Sequence, residues 1–165
     1  MHTIPFNRPF IVGQELAYMA QAISSEHIAG DGDFTGRCAE LLEKTLRVRK
    51  ALLTTSCTHA LELAALLLEV EPGDEVILPS FTFVSTVNAF VLRGARPVFI
   101  DIRPDTLNLD ESQLEERITP RTRAVVVVHY AGIGAEMDQI LEVCNRHEVP
   151  VIEDVGGDPS SGAGY

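Results

Sequence analysis

The stretch Arg123-Ala124-Val125-Val126-Val127-Val128 decides the fold. It is a β-branched run with no polar alternation, the pattern of a strand buried on both faces. Its surroundings repeat a strand–helix rhythm. Downstream, Glu136 to His147 reads as a helix. Val149 to Ile152 then reads as another apolar strand, ending in Glu153-Asp154. Upstream, Asp110 to Ile118 reads as a short helix with Asp110 as N-cap, and Pro97 to Ile100 as a strand ending at Asp101. Before these come a helix from Phe83 to Leu92 stopped near Gly94, a strand Glu75 to Leu78 after the turn Pro72-Gly73-Asp74, and an Ala/Leu helix from Thr58 to Glu69. The short apolar run Ala51 to Thr54 reads as the first strand. Continuously apolar strands separated by single helices imply an α/β protein, a parallel-rich sheet with helices on both faces.

The first fifty residues read differently. Leu16, Met19, Ala20 and Ile23 share one helical face within Gly13–Ser25, and Cys38, Leu41, Leu42 and Leu46 share another within Phe34–Arg47. Ala29 to Asp33 between them is a loop by composition. No internal repeat is evident.

Composition narrows the function classes. The 165 residues are 45% hydrophobic and 22% charged, enough apolar content for a core. The net charge of −11 argues against nucleic-acid binding and against docking on anionic lipid. No apolar run reaches the ~18–20 residues of a membrane span. The start, Met1 to Arg8, lacks the charged-then-apolar layout of a secretory leader, so the chain is expected in the cytoplasm. None of Cys38, Cys57 and Cys144 forms a CxxC pair, which weakens zinc and redox-motif readings; no metal site is expected. Cys38 and Cys144 lie in helical stretches and are expected as buried small hydrophobes.

In parallel sheets, ligands bind at the carboxyl ends of strands. Four such ends carry chemistry-bearing residues. Thr54-Thr55-Ser56-Cys57-Thr58-His59 passes from a strand end into a helix, where free backbone N–H groups and the helix dipole suit a phosphate. The plainer reading is a Ser/Thr cap alone. Phe81 and Phe83 at the next strand tip could stack on a flat ring, or both could be core. Glu153-Asp154 ends a buried strand, where a carboxylate needs a partner. Asp154 could hold a pyridinium proton, bind a metal, or cap the next element. His129 at a strand tip is a candidate acid, base or ring contact, with a structural histidine the plainer reading. A phosphate cradle, an aromatic stacker and an acid opposite a pyridine nitrogen together describe a pyridoxal-phosphate pocket.

Several stretches carry a resemblance. They include Gly30-Asp31-Gly32-Asp33-Phe34-Thr35, Ser56-Cys57-Thr58, Pro79 to Thr86, Asn88 to Ala95, Asp101 to Thr106 and Val128-His129-Tyr130-Ala131-Gly132. Over about Ile4 to Asp154 the chain resembles the N-terminal part of the DegT/DnrJ/EryC1/StrS sugar aminotransferases, nearest to members that make dTDP-4-amino-4,6-dideoxygalactose for common-antigen polysaccharide. The resemblance implies the large domain of a type I pyridoxal-phosphate-dependent transferase, aspartate aminotransferase-like, in part. It divides the chain into a helical segment 1–49, a partial cofactor-binding domain 50–154 and a divergent tail 155–165. It implies that Cys57 and Thr58 give backbone N–H groups to the cofactor phosphate, that Phe83 stacks on the ring, and that Asp154 pairs with the ring nitrogen. It further implies an amino group passed from glutamate to a dTDP-4-keto-6-deoxy-hexose, with the Asn7 to Gly32 region approaching substrate across a homodimer interface.

Two features depart from the family pattern. Gly157 stands where a Gln or His is expected to touch the cofactor's ring hydroxyl. The family's Schiff-base lysine belongs some tens of residues beyond the acidic pair, whereas this chain's lysines are Lys44 and Lys50. The expectation is therefore a frameshifted or truncated front half, inactive alone. The alternatives are a non-catalytic α/β remnant, a dehydratase-like cousin with the lysine replaced, and a generic nucleotide-binding module, which the lack of a glycine-rich phosphate loop disfavours.

Overall fold

The computed structural model describes residues 9–156, so the expectations for Asn7 and for the tail from Gly157 onward lie outside the described residues. The chain divides into two compact units, Met1–Leu53 and Thr54–Tyr165.

The second unit is the α/β part. Its elements run α3 (Cys57–Leu67), β1 (Glu75–Pro79), α4 (Val84–Val91), β2 (Arg96–Ile100), α5 (Leu114–Arg117), β3 (Thr122–Val128), α6 (Met137–Arg146) and β4 (Val151–Asp154). The four strands form one parallel sheet in the order β2-β1-β3-β4. Side-chain alternation splits the core into two layers. Val76, Leu78, Ala124 and Val126 point to one face, where they meet Leu61 and Ala65 of α3 and Ala89 and Phe90 of α4. Ile77, Val125 and Val127 point to the other face, against Leu114 of α5 and Ile140 and Cys144 of α6. α3, α4 and α6 offer buried residues three or four positions apart, the spacing that places them on one side, and the short α5 offers Leu114 alone. Asp110 caps the turn before α5, its carboxylate accepting from Ser112 N–H at 3.1 Å. The turn that follows α4 closes at Gly94, whose φ of +90° and approach to Pro72, 2.8 Å from where a Cβ would sit, leave room for no side chain.

The strand order reverses after β2. β1 leads outward to β2, and the chain then returns past β1 to β3. Such a reversal opens a crevice at the carboxyl ends of the two strands it separates. The opposite, amino end of the sheet is pinned by charge. Glu75, buried at the start of β1, accepts from Thr119 Oγ1 at 2.7 Å and from Arg121 Nη2 at 2.7 Å, and pairs with Arg96.

In the first unit, α1 (Glu15–Ser24) starts where the Glu15 carboxylate accepts from the N–H groups of Val12 and Gly13, at 2.8 and 2.9 Å. α2 (Asp33–Leu46) ends at Arg47 in the left-handed conformation. Tyr18 and Phe34 meet with ring centroids 5.4 Å apart, and the Arg37 guanidinium lies 4.8 Å from the Phe34 centroid. Neither helix has a buried residue.

Two expectations fail here. Ala51 to Thr54 forms no strand: Ala51 N–H goes to the Glu43 carboxylate at 3.1 Å, and Leu52 and Leu53 are exposed. Without a neighbouring strand to pair with, a four-residue apolar run has no reason to become one. Cys38 is exposed rather than buried, because α2 has no covered face, whereas Cys144 is buried as expected.

Candidate cofactor-binding site

A cleft of about 390 Å³ lies at the carboxyl ends of β1, β3 and β4. Cys57, Thr58, Phe83 and Asp154 all line it, joined by Thr82, Thr86 and His129. The fold thus brings four residues, spread over nearly a hundred positions of sequence, to one crevice.

The first wall is the start of α3. Ser56 is its N-cap, its Oγ accepting from His59 N–H at 3.2 Å. The plain cap is therefore realised, by Ser56. It leaves the first-turn N–H groups of Cys57 and Thr58 without an intrahelical acceptor. The positive end of the dipole of an eleven-residue helix faces the cleft there.

The opposing wall is Asp154, the last residue of β4 and buried. Its Oδ2 accepts from Thr86 Oγ1 at 2.8 Å, and its Oδ1 accepts from Cys57 Sγ at 3.5 Å. Among the described residues, no Lys or Arg side chain lines the cleft. The carboxylate is therefore held by one hydroxyl and one weak thiol donor, with no cation to offset its charge. Burial, together with this carboxylate, pushes the Cys57 thiol up from its usual range.

The aromatic pair at the end of β1 is not core. Phe83 precedes α4 and is 73% exposed at the cleft, while Phe81 packs on Tyr130 at a centroid distance of 4.9 Å. An exposed ring beside a cleft has a free face on which a flat ligand can lie.

His129 follows β3 and is buried with both ring nitrogens engaged. Its Nδ1 accepts from Ala135 N–H at 3.2 Å, which places the proton on Nε2, where it meets Glu153 Oε2 at 2.9 Å. This is the structural histidine of the plainer reading. The next residues turn sharply, with Ala131 at φ 52°.

The residues that sequence reasoning missed are Thr82 and Thr86. The readable signal was helical spacing: Thr86 lies three and four residues before Ala89 and Phe90, on the buried face of α4. A hydroxyl there must find an acceptor.

The cleft's chemistry sets its complement. A helix N-terminus wants an anion, and an uncompensated buried carboxylate wants a cationic N–H. An exposed ring wants a flat partner. A protonated heteroaromatic ring bearing a phosphate meets all three requirements. Among the described residues, no group of three or more His, Cys, Asp or Glu side chains is placed to hold a metal ion, and no helix is long and apolar enough to cross a membrane.

Comparison with known proteins gives the lineage. The model of the DegT/DnrJ/EryC1/StrS aminotransferase family matches residues 9–157. A UDP-4-amino-4-deoxy-L-arabinose–oxoglutarate aminotransferase of Shewanella sediminis is 41% identical over 155 residues, covering 92% of this chain and 39% of that protein. Among solved structures, the aminotransferase TlmJ of Streptoalloteichus hindustanus superposes with a TM-score of 0.82 at 38% identity, covering 92% of this chain and 42% of that one. NtdA of Bacillus subtilis, solved with bound cofactor PMP, gives a TM-score of 0.79 at 33% identity over 84% of this chain and 32% of its own. The chain spans less than half the length of each of these relatives. The fold is thus part of that of the pyridoxal-phosphate-dependent transferases, and the chain belongs to the DegT/DnrJ/EryC1/StrS aminotransferase family.

Proposed function

We propose that this chain is the cofactor-binding part of a pyridoxal-phosphate-dependent sugar aminotransferase. The observation that carries the reading is the pairing, across one cleft, of a buried carboxylate with no cation and a helix N-terminus with free N–H groups. Family membership supports it. In this reading the N–H groups of Cys57 and Thr58 hold the phosphate, Phe83 covers one ring face, and Asp154 keeps the ring nitrogen protonated. Pyridoxal phosphate, when bound, supplies an electron-accepting ring that stabilises negative charge developing on a substrate carbon. Asp154 sustains that capacity by offering its carboxylate to the ring N–H from the wall of the cleft.

For substrates, we infer a nucleotide-linked 4-keto sugar as amine acceptor and glutamate as donor. The stretches that resemble the family favour a dTDP-4-keto-6-deoxy-hexose yielding dTDP-4-amino-4,6-dideoxygalactose. The Shewanella relative is named for a UDP-linked 4-amino-4-deoxy sugar, so an amine at carbon 4 is common to both. The working form is taken to be a cytoplasmic homodimer.

The cleft has no lysine: Lys44 and Lys50 both fall in the first unit, where Lys50 pairs with Glu43 at 3.0 Å. We therefore expect the 165-residue chain to bind the cofactor reversibly and to turn over no substrate by itself. Pyridoxamine 5′-phosphate, which needs no lysine, is the probe. Titration should show saturable binding, weakened roughly tenfold or more in Asp154→Asn, because the neutral amide cannot pair with a cationic ring. Equal affinity in wild type and Asp154→Asn would overturn the reading. A dTDP-sugar and a UDP-sugar compared as ligands of the loaded chain then test the nucleotide.

A further inference from the structure

Thr86 is fully buried on α4, and its hydroxyl sits in a two-step chain. Thr82 Oγ1 donates to Thr86 Oγ1 at 3.1 Å, and Thr86 Oγ1 donates to Asp154 Oδ2 at 2.8 Å. A helical threonine commonly turns its single hydroxyl proton back on the carbonyl four residues earlier. Here residue i−4 is Thr82, and its side chain fills an acceptor lobe of Thr86 and so aims the Thr86 proton at the carboxylate. A hydroxyl that accepts one bond is also a better donor of the next.

The two oxygens of Asp154 are therefore unlike. Oδ2 is tied to an oxygen donor at short range, and Oδ1 meets only a thiol, at 3.5 Å. A thiol is a weak donor that a charged N–H displaces readily. We infer that Thr86, oriented by Thr82, is a positioning residue. It fixes Asp154 through Oδ2 and keeps Oδ1 turned toward Cys57 and the cleft as the exchangeable edge that receives a cationic ring N–H. The inference rests on the proposed cofactor reading for its last clause alone. The other titratable neighbours are engaged with each other, His129 at the tip of the adjacent β3 and Glu153 beside Asp154 on β4.

Two measurements separate the inference from that reading. The first uses cofactor-free chain in a Cys38→Ser background, in which Cys57 is the exposed thiol and Cys144 is buried. The alkylation rate of Cys57 against pH reports how closely the Asp154 carboxylate is held to it. Thr86→Val frees the carboxylate to rotate, so the Cys57 midpoint falls by roughly half a pH unit or more. Thr86→Ser keeps the donor and holds the wild-type midpoint, and Thr82→Val moves it the same way by less. The second titrates pyridoxamine 5′-phosphate. Thr86→Val binds it about tenfold more weakly, and Thr86→Ser within about twofold of wild type.

A Thr86→Val chain that folds and leaves both the thiol midpoint and the affinity unchanged overturns the inference. Should Thr86→Val not fold, Thr82→Val decides in the same way on the same two readouts. If wild type does not bind the probe, the cofactor reading fails, and the thiol midpoints still decide whether Thr86 positions Asp154.

Discussion

The two units of this chain carry similar helical stripes and treat them in opposite ways. In the sheet unit, Leu61 and Ala65 of α3 and Ala89 and Phe90 of α4 are buried against β-branched strands. In the first unit, Leu16, Met19 and Ile23 of α1 and Leu41, Leu42 and Leu46 of α2 are exposed. Every buried hydrophobic residue among those described falls between Leu61 and Val149. The difference teaches that periodicity identifies a face without saying what covers it. A stripe becomes core only where a sheet supplies a second surface, and burial of that surface is the main favourable term in folding.

The largest expected effect breaks the sheet unit. Phe90 is 1% exposed and packs where α4 meets the sheet. Phe90→Ala removes most of a ring and leaves a cavity, so it should cost about 3–5 kcal/mol in urea unfolding. A loss below about 1 kcal/mol would mean that this core is loosely packed.

A smaller effect tests the charged end of the same sheet. The Thr119 hydroxyl, aided by the Arg121 and Arg96 guanidinium groups, pulls the Glu75 carboxyl down from its usual value to about 2, although burial opposes this. The folded value lies below the unfolded one. The carboxylate's contribution is thus fully present above about pH 4.3 and disappears as pH falls from there through about 2. Both guanidinium groups are more than half exposed, and solvent screening trims their share. Glu75→Gln should therefore cost about 1–2 kcal/mol at pH 7. Its stability should change less than that of wild type between about pH 4.5 and pH 2, so the two curves converge in acid. Parallel curves over that range would remove Glu75 as the source of the acid limb.

The contrast also explains what was legible in the sequence. The sheet could be read because Ala124 to Val128 and Glu75 to Leu78 are short apolar runs rich in β-branched residues, each set between helical stretches. Asp110 could be read as a cap because its geometry is local. Asp154 stood out because a carboxylate ending such a strand must have a partner. Thr86 did not, because its partner lies 68 residues away and only the packing of α4 on the sheet brings them together. Ala51 to Thr54 misled for the same reason that α1 and α2 did, since local pattern cannot report whether a second surface is present. Phe81 and Phe83 carried the opposite risk. Their composition suits a core, yet both follow the tip of β1 and are exposed, Phe83 beside the cleft and Phe81 against Tyr130.

The smallest expected effect is the sharpest test of the comparison. Leu16 lies on the α1 stripe and is 78% exposed, so Leu16→Ala removes little buried surface and leaves no cavity. Alanine is the better helix former by a few tenths of a kcal/mol, which offsets part of any loss. The change in unfolding free energy should stay within about 0.5 kcal/mol, with far-ultraviolet helicity unchanged or slightly raised. A cost approaching that of Phe90→Ala would require the α1 stripe to be covered in solution. The two units would then differ in when their stripes find a partner surface rather than in whether they do.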